Sequence, residues 1–255
     1  MTLRFTSLGS GSSGNALVVE RGATRVMMDC GFSIAETTSR LARSGLAPRD
    51  LAAIVVTHEH DDHLGGVARF AKRHAIPVHL TRGTAQWLPE DFPAVLVRFI
   101  DSHAPFEIGD LRLEPFPVPH DAREPVQFVF DDGAARLGVV TDLGTTTQHV
   151  EDKLSGCDAL VLECNHDLDM LMGGGYPLSL KQRVAGRFGH LSNHDCAEML
   201  ARLDCSRLKH LFAAHLSQQN NTPGLAVAAL AGALGCEESW VGVATHDTGF
   251  DWREI

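Results

Sequence analysis

Short apolar runs, broken by glycine-bearing and charged turns, punctuate this chain from end to end. Residues 3–8, 16–20 and 24–28 read as strands separated by glycine turns, and the run from Leu51 to Val56 reads as a buried strand. A helix is predicted over 34–44 and another starts near Leu64. Further strands are predicted over 77–80, 94–100, 111–117, 126–130, 135–140 and 158–162, with Asp131-Asp132-Gly133 as a hairpin turn. The later part is richer in helix. One helix is expected over 178–188, a second capped by Asn193 and running to about residue 203, and a third opened by Thr222-Pro223. Strands over 208–214 and 240–243 complete the pattern, the latter closing the chain. Hairpins early and strand–helix units late predict a layered α/β protein with no internal repeat.

Composition narrows this only a little. A chain of 255 residues with 44% hydrophobic content suits one globular domain spanning residues 1–255. Mean hydropathy is −0.04, no apolar run has membrane-spanning length, and the first residues lack a signal peptide's apolar stretch. These features predict a cytoplasmic protein with no membrane partner. Six scattered cysteines without CxxC spacing are expected as free thiols in or near the core. The formal charge of −10 gives no global attraction for nucleic acid. Bound cations, or a basic set such as Arg123, Lys181, Arg183 and Arg187, can reverse the sign locally.

One segment changes the picture: His58-Glu59-His60-Asp61-Asp62-His63 at the end of the buried strand 51–56. A lone histidine is usually a surface or hydrogen-bonded core residue. An unbroken ionisable run at the end of a core strand would be costly to bury without a cation. Side chains two apart on an extended segment point the same way, so His58 and His60 can grip one ion. Asp62 and His63, past the bend, can serve a second. His120, Asp142 and His215 each follow an apolar run, the position where open α/β sheets place their sites.

With these residues in place, His58-x-His60-x-Asp62-His63 resembles the signature of the metallo-β-lactamase superfamily. The resemblance covers essentially the whole chain and implies a four-layer αββα sandwich with the site at one edge. It implies that His58, His60 and His120 hold one divalent ion, that Asp62, His63 and His215 hold another, and that Asp142 bridges them. The imidazole-rich set suits Zn, and the carboxylates also admit Mn or Fe. Five blocks in order resemble the YycJ/WalJ-type exonuclease branch: Gly9 to Asn15, His120 to Val126, Glu163 to Asp167, Gly189 to Asn193 and His215 to Asn221.

Two cations bridged by a carboxylate, about 3.5–4 Å apart, hold and acidify a bridging hydroxide and neutralise a phosphodiester. Asp62 is the candidate to orient that hydroxide and accept its proton. A leaving alkoxide needs a proton, and His190 is the candidate donor, held by Glu163. This pair resembles the Glu and His of tRNase Z-type phosphodiesterases; without it, His190 would only order a helix start. Ser10, Ser12, Ser13 and Asn15 in the glycine-rich turn could form an anion nest or simply make the turn. His166, Ser217 and Asn220 are candidates to contact substrate or brace the His215 loop, and Cys164 is expected in the core. His74, His79, His103, His149, His194, His210 and His246 match no ligand block.

The favoured expectation is a phosphodiesterase or nuclease, of 5′-to-3′ exonuclease type on DNA or RNA. The rival is a thioesterase or lactonase on the same metals, which suits the acidic charge but leaves Glu163 and His190 without a task. A di-iron redox protein would carry Glu where His60 stands and a flavin domain. A metal-dependent scaffold would not need the full ligand set. Larger nucleases of the superfamily add a domain or arm to grip the polymer. Here the core fold nearly consumes the chain, which points to short oligonucleotides or a homodimer that completes the groove.

Overall fold

The computed structural model describes residues 2–255 and resolves the pattern into two seven-stranded sheets. The first half contributes β1 (Leu3–Gly9), β2 (Ala16–Arg21), β3 (Thr24–Met28), β4 (Ala53–Val55), β5 (Val78–Leu80) and β6 (Val97–Phe99). The second contributes β7 (Phe106–Ile108), β8 (Leu111–Pro117), β9 (Val126–Asp131), β10 (Arg136–Val140), β11 (Ala159–Glu163), β12 (His210–Ala214) and β13 (Val241–Val243). The last strand, β14 (Phe250–Glu254), returns to the first sheet, where it pairs antiparallel with β1. The sheet orders are β14-β1-β2-β3-β4-β5-β6 and β13-β12-β11-β10-β9-β8-β7.

Helices cover the outer faces. They are α1 (Ile34–Arg43), α2 (Asp61–Leu64), α3 (Val67–His74), α4 (Arg82–Ala85), α5 (Gln148–Leu154), α6 (Leu168–Gly173), α7 (Leu178–Val184), α8 (Asn193–Arg202) and α9 (Pro223–Leu234). Alternation along the strands sends one set of apolar side chains inward and the other outward. Phe5, Val19, Val26, Phe128, Phe130 and Val161 fill the space between the sheets. Val18, Ile54 and Val78 turn outward to meet Leu41 of α1 and Phe70 of α3. Leu160, Leu162 and Leu211 meet Val150 of α5, Met199 of α8 and Leu230 of α9. The result is the expected αββα order. Phe212 of the second sheet stacks on Phe250 at 3.9 Å between ring centroids, and Phe5 meets both rings edge-on. This aromatic contact fastens the last strand across the sheets.

Several local expectations shift. The strand at 241–243 is not the closing one, because β14 follows it. The cap of α8 is Ser192, whose hydroxyl accepts from Asp195 N, rather than Asn193. The helix expected over 178–188 stops at Val184 because the chain must turn at Gly186 and Gly189 to bring His190 inward. Residues 94–96 form a single helical turn before β6. The helix expected from Leu64 is split, Gly65 and Gly66 separating α2 from α3.

Candidate metal centre

The pairing directions bring the chemistry to one edge. β10, β11 and β12 run parallel, and β8 runs the same way through its antiparallel neighbour β9. Their C-terminal ends therefore deliver His120, Asp142, Glu163 and His215 to one rim. The C-terminal end of β4, in the other sheet, delivers His58 to His63 to the same place.

His60 Nδ1 lies 3.0 Å from His58 Nε2 and 3.2 Å from His120 Nε2. A tetrahedral zinc site with Zn–N bonds of about 2.0–2.1 Å has donor–donor edges of roughly 3.3 Å, so these nitrogens stand at coordination spacing. A second group joins Asp62, His63 and His215, with Asp62 Oδ2 at 3.3 Å from His63 Nε2 and 3.2 Å from His215 Nε2. Asp142 lies between the groups. Its Oδ2 is 2.9 Å from His63 Nε2, and its Oδ1 is 3.7 Å from His120 Nε2. Despite that approach, the buried Asp142 Oδ2 has no well-aligned hydrogen-bond donor. A buried carboxylate oxygen left this way is costly unless a cation takes it up. The donor chemistry, the spacing and this orphaned oxygen all fit a divalent cation.

The outward-facing ring atoms are fixed by partners. His120 Nδ1 donates to the Gly189 carbonyl at 2.9 Å, which leaves Nε2 as the lone-pair nitrogen facing the group. His63 Nδ1 donates to Asp29 Oδ2 at 2.7 Å. Thr57 Oγ1 donates to the same Asp29 carboxylate at 2.9 Å and stands 2.9 Å from His58 Nδ1, so one carboxylate orients two imidazoles. Asp29 has φ 60° and His215 φ 54°, a left-handed backbone that non-glycine residues adopt only when their surroundings hold them there.

Charge follows the same geometry. Burial, aided by neighbouring imidazoles, pushes His58 well below the usual histidine range and keeps it neutral. Burial likewise lowers His120. For His63 and His215 burial opposes charging, but nearby carboxylates win: Asp142, Asp62 and Asp29 raise the first well above its usual value. Asp142, Asp62 and Glu163 raise the second to about 10. Protons and cations thus compete for the same nitrogens.

Glu163 is fully buried, and every neighbour it contacts is a donor. Its Oε1 lies 2.7 Å from His190 Nδ1 and 3.2 Å from His215 Nδ1, while Oε2 accepts from Leu143 N at 2.8 Å and Leu191 N at 3.2 Å. Burial again opposes charging of His190, but Glu163 and then Asp142 raise it, which favours the imidazolium. His190 also lies 3.4 Å from Asp142 Oδ1 and lines a cleft of about 370 Å³ together with His60, Asp62, Asp142 and His215. A Cβ on Gly189 would run into the carbonyls of Arg183 and Val184, so only glycine lets the chain turn here.

The substrate candidates divide. Ser12 lines the cleft. Ser10 and Asn15 are buried behind the ligands: Ser10 Oγ accepts from His215 N, and Asn15 Nδ2 donates to Asp62 Oδ2. Ser217 and Asn220 are buried within the His215 loop, where Ser217 Oγ accepts from Asn220 N. His166 is buried with an unpartnered Nδ1, and its main chain bridges Ser192. Cys164 is fully buried among the outer apolar side chains of the second sheet. Sequence reasoning passed over Asp29, although it too follows an apolar strand. It also passed over Asn165, whose side chain donates to the His215 carbonyl, and Asp121, which accepts from Arg183 Nε at 2.6 Å. Tyr176, on the cleft wall, carries no local motif.

Residues 24–213 match the model of the beta-lactamase superfamily domain. The chain is 35% identical to the exodeoxyribonuclease YycJ of Bacillus anthracis, covering 97% of this chain and 96% of that protein. It is 33% identical to the exodeoxyribonuclease WalJ of Streptococcus pneumoniae, covering 97% and 95%. The metallo-beta-lactamase fold protein YhfI of Bacillus subtilis superposes with a TM-score of 0.77 at 15% identity over the whole of both chains, which shows the shared fold. The chain belongs to the beta-lactamase superfamily, in the company of the YycJ and WalJ proteins, and is an enzyme. No described helix is long and apolar enough to cross a membrane.

Proposed function

We propose that this enzyme is a two-metal phosphodiesterase that trims DNA from an end in the cytoplasm. The observation that carries this reading is the His190–Glu163 pair, at 2.7 Å, opening onto the same cleft as the ligand groups. His58, His60 and His120 would hold one divalent ion, and Asp62, His63 and His215 the other, with Asp142 between them. Zinc is the favoured identity, given five imidazoles in the set. Bound ions supply an acidified water and positive charge against the phosphodiester. Asp62, steadied by Asn15, orients that water. His190, held protonated by Glu163, delivers the proton to the leaving oxygen of the sugar. The relatives named exodeoxyribonucleases support DNA as the substrate, and six free cysteines suit a reducing compartment. Hydrolysis of a thioester expels a stable thiolate, so a thioesterase would not need the proton His190 carries.

The test is a metal-loaded panel of end-labelled single-stranded DNA, bis-p-nitrophenyl phosphate, a thioester and a lactone. DNA and the diester should be hydrolysed. Turnover of thioester or lactone with no phosphodiester cleaved at any length would refute the reading. Asp142→Ala should lose metal and activity together, whereas His190→Ala should keep metal and lose turnover on DNA.

A further inference from the structure

The cleft lined by the candidate metal ligands has a second wall. Tyr176, Leu180, Arg183 and Val184, from the α6–α7 connection and α7, face the ligand residues across it. Tyr176 is the only tyrosine of the chain. It is half-buried and is the one residue with a large aromatic ring, histidines aside, that lines the cleft. The wall is pinned at several points. Arg183 Nε donates to Asp121 Oδ2 at 2.6 Å, Asp121 N donates to Phe188 O at 2.9 Å, and Lys181 Nζ donates to Met172 O at 2.6 Å. His190 N donates to Val184 O at 2.8 Å, which ties the wall to the proton-donor candidate. The cleft's volume of about 370 Å³ lies near the low end of the ~300–1,000 Å³ range of ligand pockets, room for about one nucleotide. Asp61 also lines a second groove of about 350 Å³, together with Glu59, Arg69, Trp87, Leu88 and Pro89.

We propose that the α7 wall turns the metal cleft into a pocket for the terminal nucleotide, with Tyr176 stacking on its base. The remaining strand leaves past Asp61 along the Trp87 groove. This rests on the phosphodiesterase reading and deepens it: the wall, not the metal centre, confines cleavage to chain ends. A flat aromatic surface suits any base, because stacking is tolerant of sequence. A continuous strand crossing the cleft on that side would meet Leu180, Arg183 and Val184 of α7.

Two measurements test this on the zinc-loaded full chain. First, linear single-stranded DNA is compared with a covalently closed circle of the same sequence. The circle should be cut at least about a hundredfold more slowly by the parent, and Tyr176→Ala/Leu180→Ala/Val184→Ala should narrow that ratio at least tenfold. Equal cutting of circle and line by the parent overturns the proposal. So does an unchanged ratio in a variant with parental metal content and circular dichroism. Second, anisotropy of a labelled single-stranded 5-mer is read in the His190→Ala background, where no turnover is needed. Tyr176→Ala should weaken binding about tenfold and Tyr176→Phe less than twofold, as expected for one stacked base. Equal affinities in both variants overturn the proposal even where the triple variant fails to fold. If bis-p-nitrophenyl phosphate and linear DNA both survive intact, the phosphodiesterase reading has failed, and the anisotropy still decides whether Tyr176 holds a strand.

Discussion

Glu163→Gln separates the proton donor from the metal centre more cleanly than any ligand variant. All four contacts of the Glu163 carboxylate are with donors: His190, His215, Leu143 N and Leu191 N. Glutamine has one acceptor oxygen. If that oxygen keeps the two backbone N–H groups, its amide nitrogen faces His190 and His215. His190 must then present a bare Nδ1 and lose the charge that holds its proton. The cost is two bonds to a charged group, at about 1.5–3 kcal/mol each, against a usual domain stability of about 5–15 kcal/mol, so the variant should fold. Asp142 and Asp62 are untouched, but His215 loses the partner of its Nδ1, so metal affinity should fall by up to about 10–100-fold and the rates are compared at saturating metal.

The catalytic consequence has a sign. In the proposed role His190 acts only when protonated, and its raised pKa keeps it so to higher pH. Activity on DNA is therefore lost as pH rises through that value. Removing the Glu163 charge must move the alkaline limb of the DNA profile to lower pH. At neutral pH the rate on DNA should fall by about 10²–10⁴, the usual worth of a positioned general acid. Bis-p-nitrophenyl phosphate releases a stable phenolate and should lose less than about tenfold. Equal losses on both substrates, with metal retained, would refute the assignment of His190 as donor.

Other parts of the molecule yield independent expectations. Asp29→Ala removes the partner of His63 and of the Thr57–His58 chain and should weaken metal affinity about 10–100-fold by competition with a chromophoric chelator. Gly189→Ala should lower kcat on DNA and perturb metal binding together, because the same turn carries His190 and the carbonyl that orients His120. Ellman's reagent should titrate no more than Cys205 and Cys236 in the native protein, since the other four cysteines are buried and burial pushes Cys30 up to about 12 and Cys157 up to about 11. His79, packed on Phe106, is lowered by burial and then by Arg98 to about 4. Below about pH 6.5 the unfolded chain takes up a proton that the folded one refuses. Stability should thus fall from pH 6.5 toward 4, and His79→Gln should recover about 1 kcal/mol of that loss in chemical denaturation, allowing for solvent screening.

What could be read from the sequence follows one physical rule. In β3, β4, β8, β10, β11 and β12 the His, Asp or Glu that ends the apolar run is carried to the shared rim, whereas antiparallel β2 and β9 take Glu20 and Asp131 elsewhere. Residues 58–63, His120, Asp142, Glu163 and His215 all obey it, because parallel pairing aligns the strand ends. Asp29 obeys it too, but its single carboxylate sits in no recognisable block, and only the fold shows that it holds His63 directly and His58 through Thr57. The rule is silent where position depends on a distant partner. β14 is held by β1 and by Phe5 and Phe212, contacts far along the chain that no local pattern announces. Ser10 and Asn15 sit in a turn whose glycines suggested an anion nest. Asn15 N donates to Asp62 O at 2.7 Å and Ser10 Oγ takes the His215 N–H, so the turn is folded onto the ligands instead. Tyr176 shows the same limit from the other side, since a residue between two short helices gains its place only when α7 is pinned through Arg183 to Asp121. The strand ends thus place the candidate metal ligands locally, whereas the wall that faces them across the cleft is placed by long-range packing around α7.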